Sequence, residues 1–312
     1  MRRQALRFAN REEWLAARSK GIGASEVATI VGLNPWQTPY QLWRLKVGID
    51  PPKAENFAMK AGHYLEDAVA SFWHDATGKD IIKASKEDFM YVDEERPFLR
   101  VSPDRTYWLG EGRGHDEKGI LECKTTQMSV DPENLPRHWF CQVQMNLGVA
   151  GFEHGSLAWL TQGREFGYQN INFAPDFFAW LSEEVAKFWI DCVEGKQEPE
   201  VINVADVLLK YNRHTDGRSV EVSDEVFAAY QELKDVRKEL DALDERKEAL
   251  EGKIKMAFAD AEAITYGGET LATWKAPKPS NKFDAKAFQS AHPDLAKEFT
   301  HPSQGARRFL LK

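Results

Sequence analysis

Gly119-Ile120-Leu121-Glu122-Cys123-Lys124-Thr125 is the stretch on which the fold of this chain turns. A short apolar run reads as a central strand, and it closes on a carboxylate and a lysine two residues apart. Residues i and i+2 of a strand point to the same face, so Glu122 and Lys124 project together and Cys123 turns away. Upstream, Ser102-Pro103-Asp104 sets a second carboxylate on a turn whose backbone Pro103 restricts. Two hard carboxylates suit Mg²⁺, and a lysine beside them orients or deprotonates a water. That is a minimal apparatus for metal-assisted cleavage of a phosphodiester. The bland alternative is a surface turn and a surface strand. Against it, a charged pair that ends an apolar strand is exposed only at the edge of the sheet, where active sites gather.

Working outward, the pattern predicts helices and strands in layers. Residues 1–20 read as a helix with Asn10 as a plausible cap before Arg11–Arg18, and a glycine-rich turn, Gly21–Ser25, leads into a short helix that Gly32 closes. Pro39 opens another helix, and residues 56–77 form a long one with Leu65, Val69, Phe72 and Trp73 on one face. Short strands are expected within 81–126, with a polar loop at 110–118. A helix over 136–150, two strands and an amphipathic helix over 175–194 complete an α/β arrangement with a central mixed sheet flanked by helices.

Beyond Pro199 the texture changes. The expected organisation is a core over 1–200, a linker over 201–222 and an extension over 223–312 made of a long helix and a small β-rich tail. In 223–264, Val236, Leu240, Leu243, Leu250, Ile254 and Ala257 fit a heptad seam that Lys247 interrupts once.

Bulk properties narrow the class. The chain has 312 residues, 42% hydrophobic and 29% charged, with a net charge of −8. No apolar run approaches the ~20 residues of a membrane span, and Met1-Arg2-Arg3 does not lead into a signal-peptide apolar core. Cys123, Cys141 and Cys192 form no zinc spacing or disulfide framework, which points to a reducing cytoplasm. The acidity argues against a nucleic-acid partner, but acids are concentrated in 223–264 whereas bases outnumber acids in 265–312. No dinucleotide fingerprint or phosphate-loop lysine occurs, and the histidines form no HExxH array.

Further candidates surround the opening pair. Glu66 lies one turn after Gly62 on the long helix, where a glycine permits close approach of another backbone; a solvated helix face is the plain alternative. Arg18, Ser25, Ser102 and Gln142 can form a phosphate pocket, with Arg18 as a forked donor and Ser25 at a helix N-terminus. Each also has a structural reading: a helix-end arginine, a cap, a turn serine, a buried amide. Gln142 and Gln144 lie on different helix faces, so at most one points with Glu122. Trp36, on the Asn34-Pro35-Trp36 loop, either stacks on a base or packs beneath the loop.

Taken in order, Arg18–Glu26, Gly32-Leu33-Asn34-Pro35-Trp36, Gly62–Glu66, Ser102-Pro103-Asp104, Glu122-Cys123-Lys124 and Gln142-Val143-Gln144 resemble the YqaJ-type viral recombinase nucleases, the family of phage lambda exonuclease within the PD-(D/E)XK superfamily. The resemblance spans about residues 10–195. It implies a restriction-endonuclease-like core and Mg²⁺-dependent, processive 5′-to-3′ digestion of one strand of duplex DNA. The products are 5′-mononucleotides and a 3′ overhang. By motif, it assigns Glu66, Asp104, Glu122 and the Cys123 carbonyl to metal, two ions per site with Mn²⁺ as a substitute. It assigns Lys124 to the attacking water, and Arg18, Ser25, Ser102 and Gln142 to the 5′-phosphate. It further implies a ring-shaped trimer, a single-strand annealing protein as partner, and a phage or prophage origin in a bacterial cytoplasm. The segment 223–312 resembles the extension of some phage members, where a long helix pair precedes a small β-rich tail. Two departures stand out: Arg105 replaces the usual glycine after the turn, and lambda exonuclease itself lacks the extension. The competing readings are an endonuclease on the same core and a non-catalytic module that binds a protein through its acidic helix.

Overall fold

The computed structural model describes residues 3–52, 56–82, 89–110, 117–278, 280–281, 283–301, 305 and 307–311. Most of the polar loop expected at 110–118 lies outside them, as do short pieces of the tail. The chain divides into two compact units, Met1–Lys210 and Tyr211–Lys312.

The first unit opens with strand β1 (Arg3–Arg7), where a helix is expected; the helical part is α1 (Arg11–Arg18), whose Asn10 side chain accepts from the Glu13 N–H. Strand β2 (Ile22–Gly23), a 3₁₀ turn at Ala24–Glu26 and α2 (Val27–Ile30) follow. Helix α3 (Pro39–Lys46) starts on Thr38, whose hydroxyl accepts from the Gln41 N–H, with Pro39 in its first turn. Helix α4 (Phe57–Thr77) ends at Gly78 in the left-handed region (φ 68°), which glycine adopts without a Cβ penalty.

Strands β3 (Ile81–Ile82), β4 (Phe89–Asp93), β5 (Leu99–Val101), β6 (Arg105–Trp108) and β7 (Lys118–Thr126) come next. Helix α5 (Arg137–Ala150), strands β8 (His154–Thr161) and β9 (Glu165–Asn172) and helix α6 (Pro175–Lys187) follow, the last continuing as a π-helical stretch, Phe188–Glu194.

These strands form two sheets rather than one. The first has the order β1-β4-β5-β2 and the second β3-β6-β7-β8-β9. Among the described residues only β2–β5 and β7–β8 are parallel. Helix α5 is the crossover between β7 and β8, as a parallel pair requires. It buries opposite faces in two clusters. Cys141, Met145 and Val149 join the core around Leu99 and Val101, while Trp139, Val143 and Leu147 join Ile120 and Leu157. The other face of the second sheet is covered by α4, through Val69, Ala70 and Trp73 against Tyr107, Leu121 and Ala158. The result is a mixed α/β core with helices on both faces of the second sheet.

Two consequences position the site. Along β7, Leu121 faces α4 and Ile120 faces α5, so Glu122 and Lys124 look toward α5. The turn Ser102-Pro103-Asp104 is the short link by which the chain passes from β5 of one sheet to β6 of the other.

The expected linker is partly structured. Helix α7 (Val204–Lys210) lies within 201–222, and its Asp206 is fully buried. Asp206 Oδ1 accepts from Thr38 Oγ1 at 2.8 Å and Gln41 Nε2 at 3.0 Å, which pins α7 to the start of α3.

The second unit holds α8 (Asp224–Phe258), capped by Ser223. Its 35 residues run unbroken, roughly 52 Å at 1.5 Å per residue, so the implied helix pair is a single helix. The hairpin of β10 (Ala263–Tyr266) and β11 (Glu269–Thr273) turns on Gly267 and Gly268, both at positive φ. Helices α9 (Ala285–Ala291) and α10 (Pro293–Glu298) follow. Among the described residues no helix is long and apolar enough to cross a membrane.

Candidate active site

Glu122 is almost completely buried, at 1% exposure. Its Oε1 accepts from Lys124 Nζ at 2.6 Å and from Gln142 Nε2, and its Oε2 accepts from Asn146 Nδ2 at 2.9 Å. Lys124 Nζ also donates to Gln142 Oε1 at 2.8 Å. Gln142 and Asn146 are one turn apart on α5 and so share the face turned to β7. Asp104, also buried, accepts from the Cys123 N–H through Oδ2 at 2.8 Å. Strand β6 begins at Arg105 opposite Leu121, so the Asp104 side chain takes over where the backbone ladder stops.

Glu66 approaches from α4, on the far face of the sheet. Arg105 ties it in: Nη1 donates to Glu66 Oε1 at 2.7 Å and to the Asp104 carbonyl at 2.5 Å, and Nη2 donates to Asp67 Oδ1 at 2.5 Å. Burial opposes the Arg105 charge, but the Asp67 and Glu66 carboxylates outweigh it and hold the guanidinium pKa above its ordinary value. Cys123 lies among all three acids. Burial pushes its thiol well up, and Asp104, Glu122 and Glu66 push it further, which disfavours the thiolate. Gly62 faces Thr125 with ordinary van der Waals room for a Cβ, so no close approach demands a glycine there.

A second cluster adjoins this one. Arg18, Gly23, Ala24, Ser25, Met90, Arg100, Ser102 and Gln142 surround a cavity of about 30 Å³. Arg18 Nη2 donates to Ser25 Oγ at 2.8 Å, and its guanidinium lies 5.2 Å from the Trp14 ring. A Cβ on Gly23 would come within 3.2 Å of that guanidinium, so the glycine leaves room for it. Trp14 Nε1 donates to Ser102 Oγ at 3.0 Å, and Ser102 Oγ donates to the Phe89 carbonyl at 3.0 Å. The helix end near Ser25 is closed rather than open: Glu26 Oε2 takes the Gly23 N–H and pairs with Lys46.

The matched sequence profile is that of the YqaJ-like viral recombinase domain, over residues 13–153. The protein YqaJ of Bacillus subtilis (strain 168) is 32% identical over 319 residues, which cover 97% of this chain and 94% of YqaJ. The chain belongs to the YqaJ family. Among solved structures, an alkaline exonuclease from Laribacter hongkongensis is similar at 17% identity, over 59% of this chain and 93% of its own, with a TM-score of 0.47. A phage-related exonuclease from Haemophilus somnus 129PT is similar at 12% identity, over 57% and 96%, with a TM-score of 0.40.

Within this YqaJ-family chain, the fold joins Glu122, Lys124 and Gln142 in one hydrogen-bonded cluster, ties Asp104 to the same strand through the Cys123 N–H, adds Glu66 through Arg105, and sets Arg18, Ser25 and Ser102 around the adjoining cavity. Gln144 falls elsewhere. It is fully buried, donating to the Asn172 carbonyl and accepting from the Ala174 N–H. Trp36 is 70% exposed, with its ring edge-on to His138 at 5.1 Å.

Three side chains of the cluster escape sequence reasoning: Trp14, Arg100 and Asn146. Two carry a usable signal. Arg100 stands two before Ser102, and Asn146 four after Gln142, the same spacings that pair Glu122 with Lys124 on a strand and neighbours on a helix.

The donor set of Glu66, Asp104 and Glu122 is hard oxygen, which suits a divalent cation such as Mg²⁺. The protein's own cations hold two of the three, Arg105 on Glu66 and Lys124 on Glu122. Accordingly, among the described residues no three His, Cys, Asp or Glu side chains are drawn together around one point. The chemistry fits the ion, and closing upon it requires these side chains to turn.

Proposed function

We propose that this chain is a metal-dependent exonuclease that digests one strand of duplex DNA from its 5′ end, releasing 5′-mononucleotides and leaving a 3′ overhang for strand annealing. One observation carries the reading: the carboxylate–lysine cluster and the arginine-lined cavity share the Ser102-Pro103-Asp104 turn and the Gln142 side chain. A terminal phosphate held on one side of that turn would set the scissile bond on the other, a fixed distance from the end. Positioning of that kind accounts for single-nucleotide products.

In this reading Glu66, Asp104, Glu122 and the Cys123 carbonyl hold Mg²⁺, with Mn²⁺ as a substitute and two ions per site. When bound, the ion supplies Lewis-acid polarisation of the phosphoryl oxygen and stabilises the leaving oxygen. Lys124, steadied by Glu122 and Gln142, orients the attacking water and lowers the cost of its proton loss. Gln142 couples the halves, because its amide touches both Glu122 and Lys124 and also lines the cavity. The family resemblance further supports a ring-shaped trimer that encloses DNA and a single-strand annealing partner. A ring supplies processivity by topology, which accommodates a net charge of −8; sedimentation tests the stoichiometry.

The test is product analysis on end-labelled linear duplex with Mg²⁺ beside a covalently closed circle. Mononucleotides from the linear duplex and an intact circle are expected. Cleavage of the circle would replace this reading with an endonuclease. Lys124→Ala should retain DNA binding and lose about 10²–10⁴-fold in rate, the range for a positioned proton-transfer group; an undiminished rate would remove Lys124 from the mechanism.

A further inference from the structure

The cavity beside the carboxylate cluster contains two guanidinium groups, and the sequence motifs account for only one of them. Arg100 leaves β5 and reaches the same cavity as Arg18. Its Nη1 donates to the Ala17 carbonyl at 3.1 Å. Its Nε is buried with no hydrogen-bond partner. No carboxylate pairs with it among the described residues, and burial alone pulls its pKa down from the ordinary value. An arginine stays protonated in such a place, so a positive charge is held half-buried without a counter-ion. Isolated buried charge is expensive unless something compensates it.

Two of the cavity's other polar side chains, Ser102 and Gln142, are already committed. Ser102 directs its hydroxyl hydrogen at the Phe89 carbonyl, and the Gln142 amide is engaged on both sides by Glu122 and Lys124. Arg18 uses one nitrogen on Ser25. Ser25 Oγ accepts from Arg18 and keeps its own hydroxyl hydrogen, so the charged donors that remain to the cavity belong to the two guanidiniums, from α1 and β5.

We propose that Arg100 is a specificity-determining residue that, with Arg18, gives this cavity two positive charges and matches it to the dianion of a terminal phosphomonoester. An internal phosphodiester carries one negative charge and a terminal monoester close to two at neutral pH. Two forked guanidiniums favour the doubly charged group and can hold it by paired hydrogen bonds. The cavity would thus distinguish a 5′-phosphorylated end from a 5′-hydroxyl end and from the interior of a strand. This rests on the DNA-end reading above, but it predicts a binding preference that needs no metal and no turnover.

The experiment is fluorescence anisotropy in EDTA with the full chain and a short labelled duplex carrying either a 5′-phosphate or a 5′-hydroxyl. The wild type should bind the phosphorylated end about tenfold or more tightly, as expected for charge-assisted contacts to a phosphate. R100Q should bring that ratio close to one. R100K, which keeps the charge but loses the fork, should give an intermediate ratio and serves if R100Q does not fold. A wild-type ratio of one, or a ratio unchanged in R100K and in folded R100Q, overturns the proposal. If the preference is present and depends on Arg100 while linear duplex is never degraded with Mg²⁺, the exonuclease reading fails and the end-binding pocket stands.

Discussion

In the first unit Glu66, Asp93, Asp104, Glu122 and Asp206 are buried, whereas the carboxylates of α8 in the second unit stand in water. The acids of α8 meet their lysines one turn away, as in Asp235–Lys238, Asp244–Lys247 and Glu251–Lys255. Exposed pairs of that kind contribute about 0–1 kcal/mol each. The buried acids are of two sorts. Asp93 is satisfied by the backbone N–H groups of Glu95 and Arg96 and by the Arg96 guanidinium, so it stabilises a turn. Asp206 fastens α7 to α3. Glu122, Asp104 and Glu66 instead come from different elements, and Lys124 holds the first while Arg105 holds the last. Burial alone therefore does not set these three apart from the structural acids; their ties to Lys124, Arg105 and the Cys123 N–H do.

This contrast can be broken most forcefully in the core. Leu121 is fully buried between β7 and α4, next to Glu122. Leu121→Ala should cost about 2–5 kcal/mol, the range for a truncated core leucine. Urea unfolding measures it, and a cost below ~1 kcal/mol would mean that this core is far looser than its packing.

Asn146 tests the polar side of the same strand. It donates to Glu122 Oε2 from a fully buried position on α5. Asn146→Ala should destabilise the fold by about 1–3 kcal/mol, the penalty for leaving a buried polar group with a missing partner. It should also slow cleavage, because Glu122 loses a donor that fixes its orientation. Normal stability and normal rate together would show that Asn146 is a bystander.

How much of this was legible follows from the range of the interactions. The Glu122–Lys124 pair obeys a period-two rule, and α1, α3 and α4 start at polar caps, all local signals. Strand β1 has no such signal: Arg3–Arg7 alternates weakly and becomes a strand only because β4 lies alongside it, with Arg3 opposite Asp93. Strand β6 is four residues long and is defined by β7 and β3 on its two sides. The split into two sheets was likewise invisible, since it depends on which strands meet across the Ser102–Asp104 turn. Within the cluster, the pairing of Glu122 with Lys124 was readable from spacing, but the contact of Trp14 with Ser102 joins positions far apart in the chain and left no periodic trace.

A pH scan probes the first unit more gently. His138, on α5 beside Trp36, has its pKa lowered from 6.5 by burial and by the nearby Lys124 charge. The unfolded chain therefore takes up this proton more readily than the folded one. The stability linked to His138 is present above about pH 6.5 and is lost as pH falls toward the folded-state value. His138→Gln should flatten the stability profile below pH 6.5, and identical slopes in the two proteins would rule out that linkage.

The smallest effect is expected on α8. Its seam residues Val236, Leu240, Leu243, Leu250 and Ile254 are 42–58% exposed within the single chain. In the second unit Phe258, at the end of the helix against Trp274, is the buried apolar side chain among the described residues. Leu243→Ala should thus shift stability by no more than about 0.5 kcal/mol, as for a surface substitution, against the several kcal/mol expected at Leu121. Alanine is also the better helix former, which offsets part of the lost contact. The measurement is urea unfolding at two protein concentrations. A loss above ~1 kcal/mol that shrinks on dilution would mean that another copy covers the seam, because only an association equilibrium makes stability depend on protomer concentration, and dilution removes it from the unsubstituted protein. The heptad spacing would then be an interface pattern, and the contrast between the two units would hold for the isolated chain but not for its assembly.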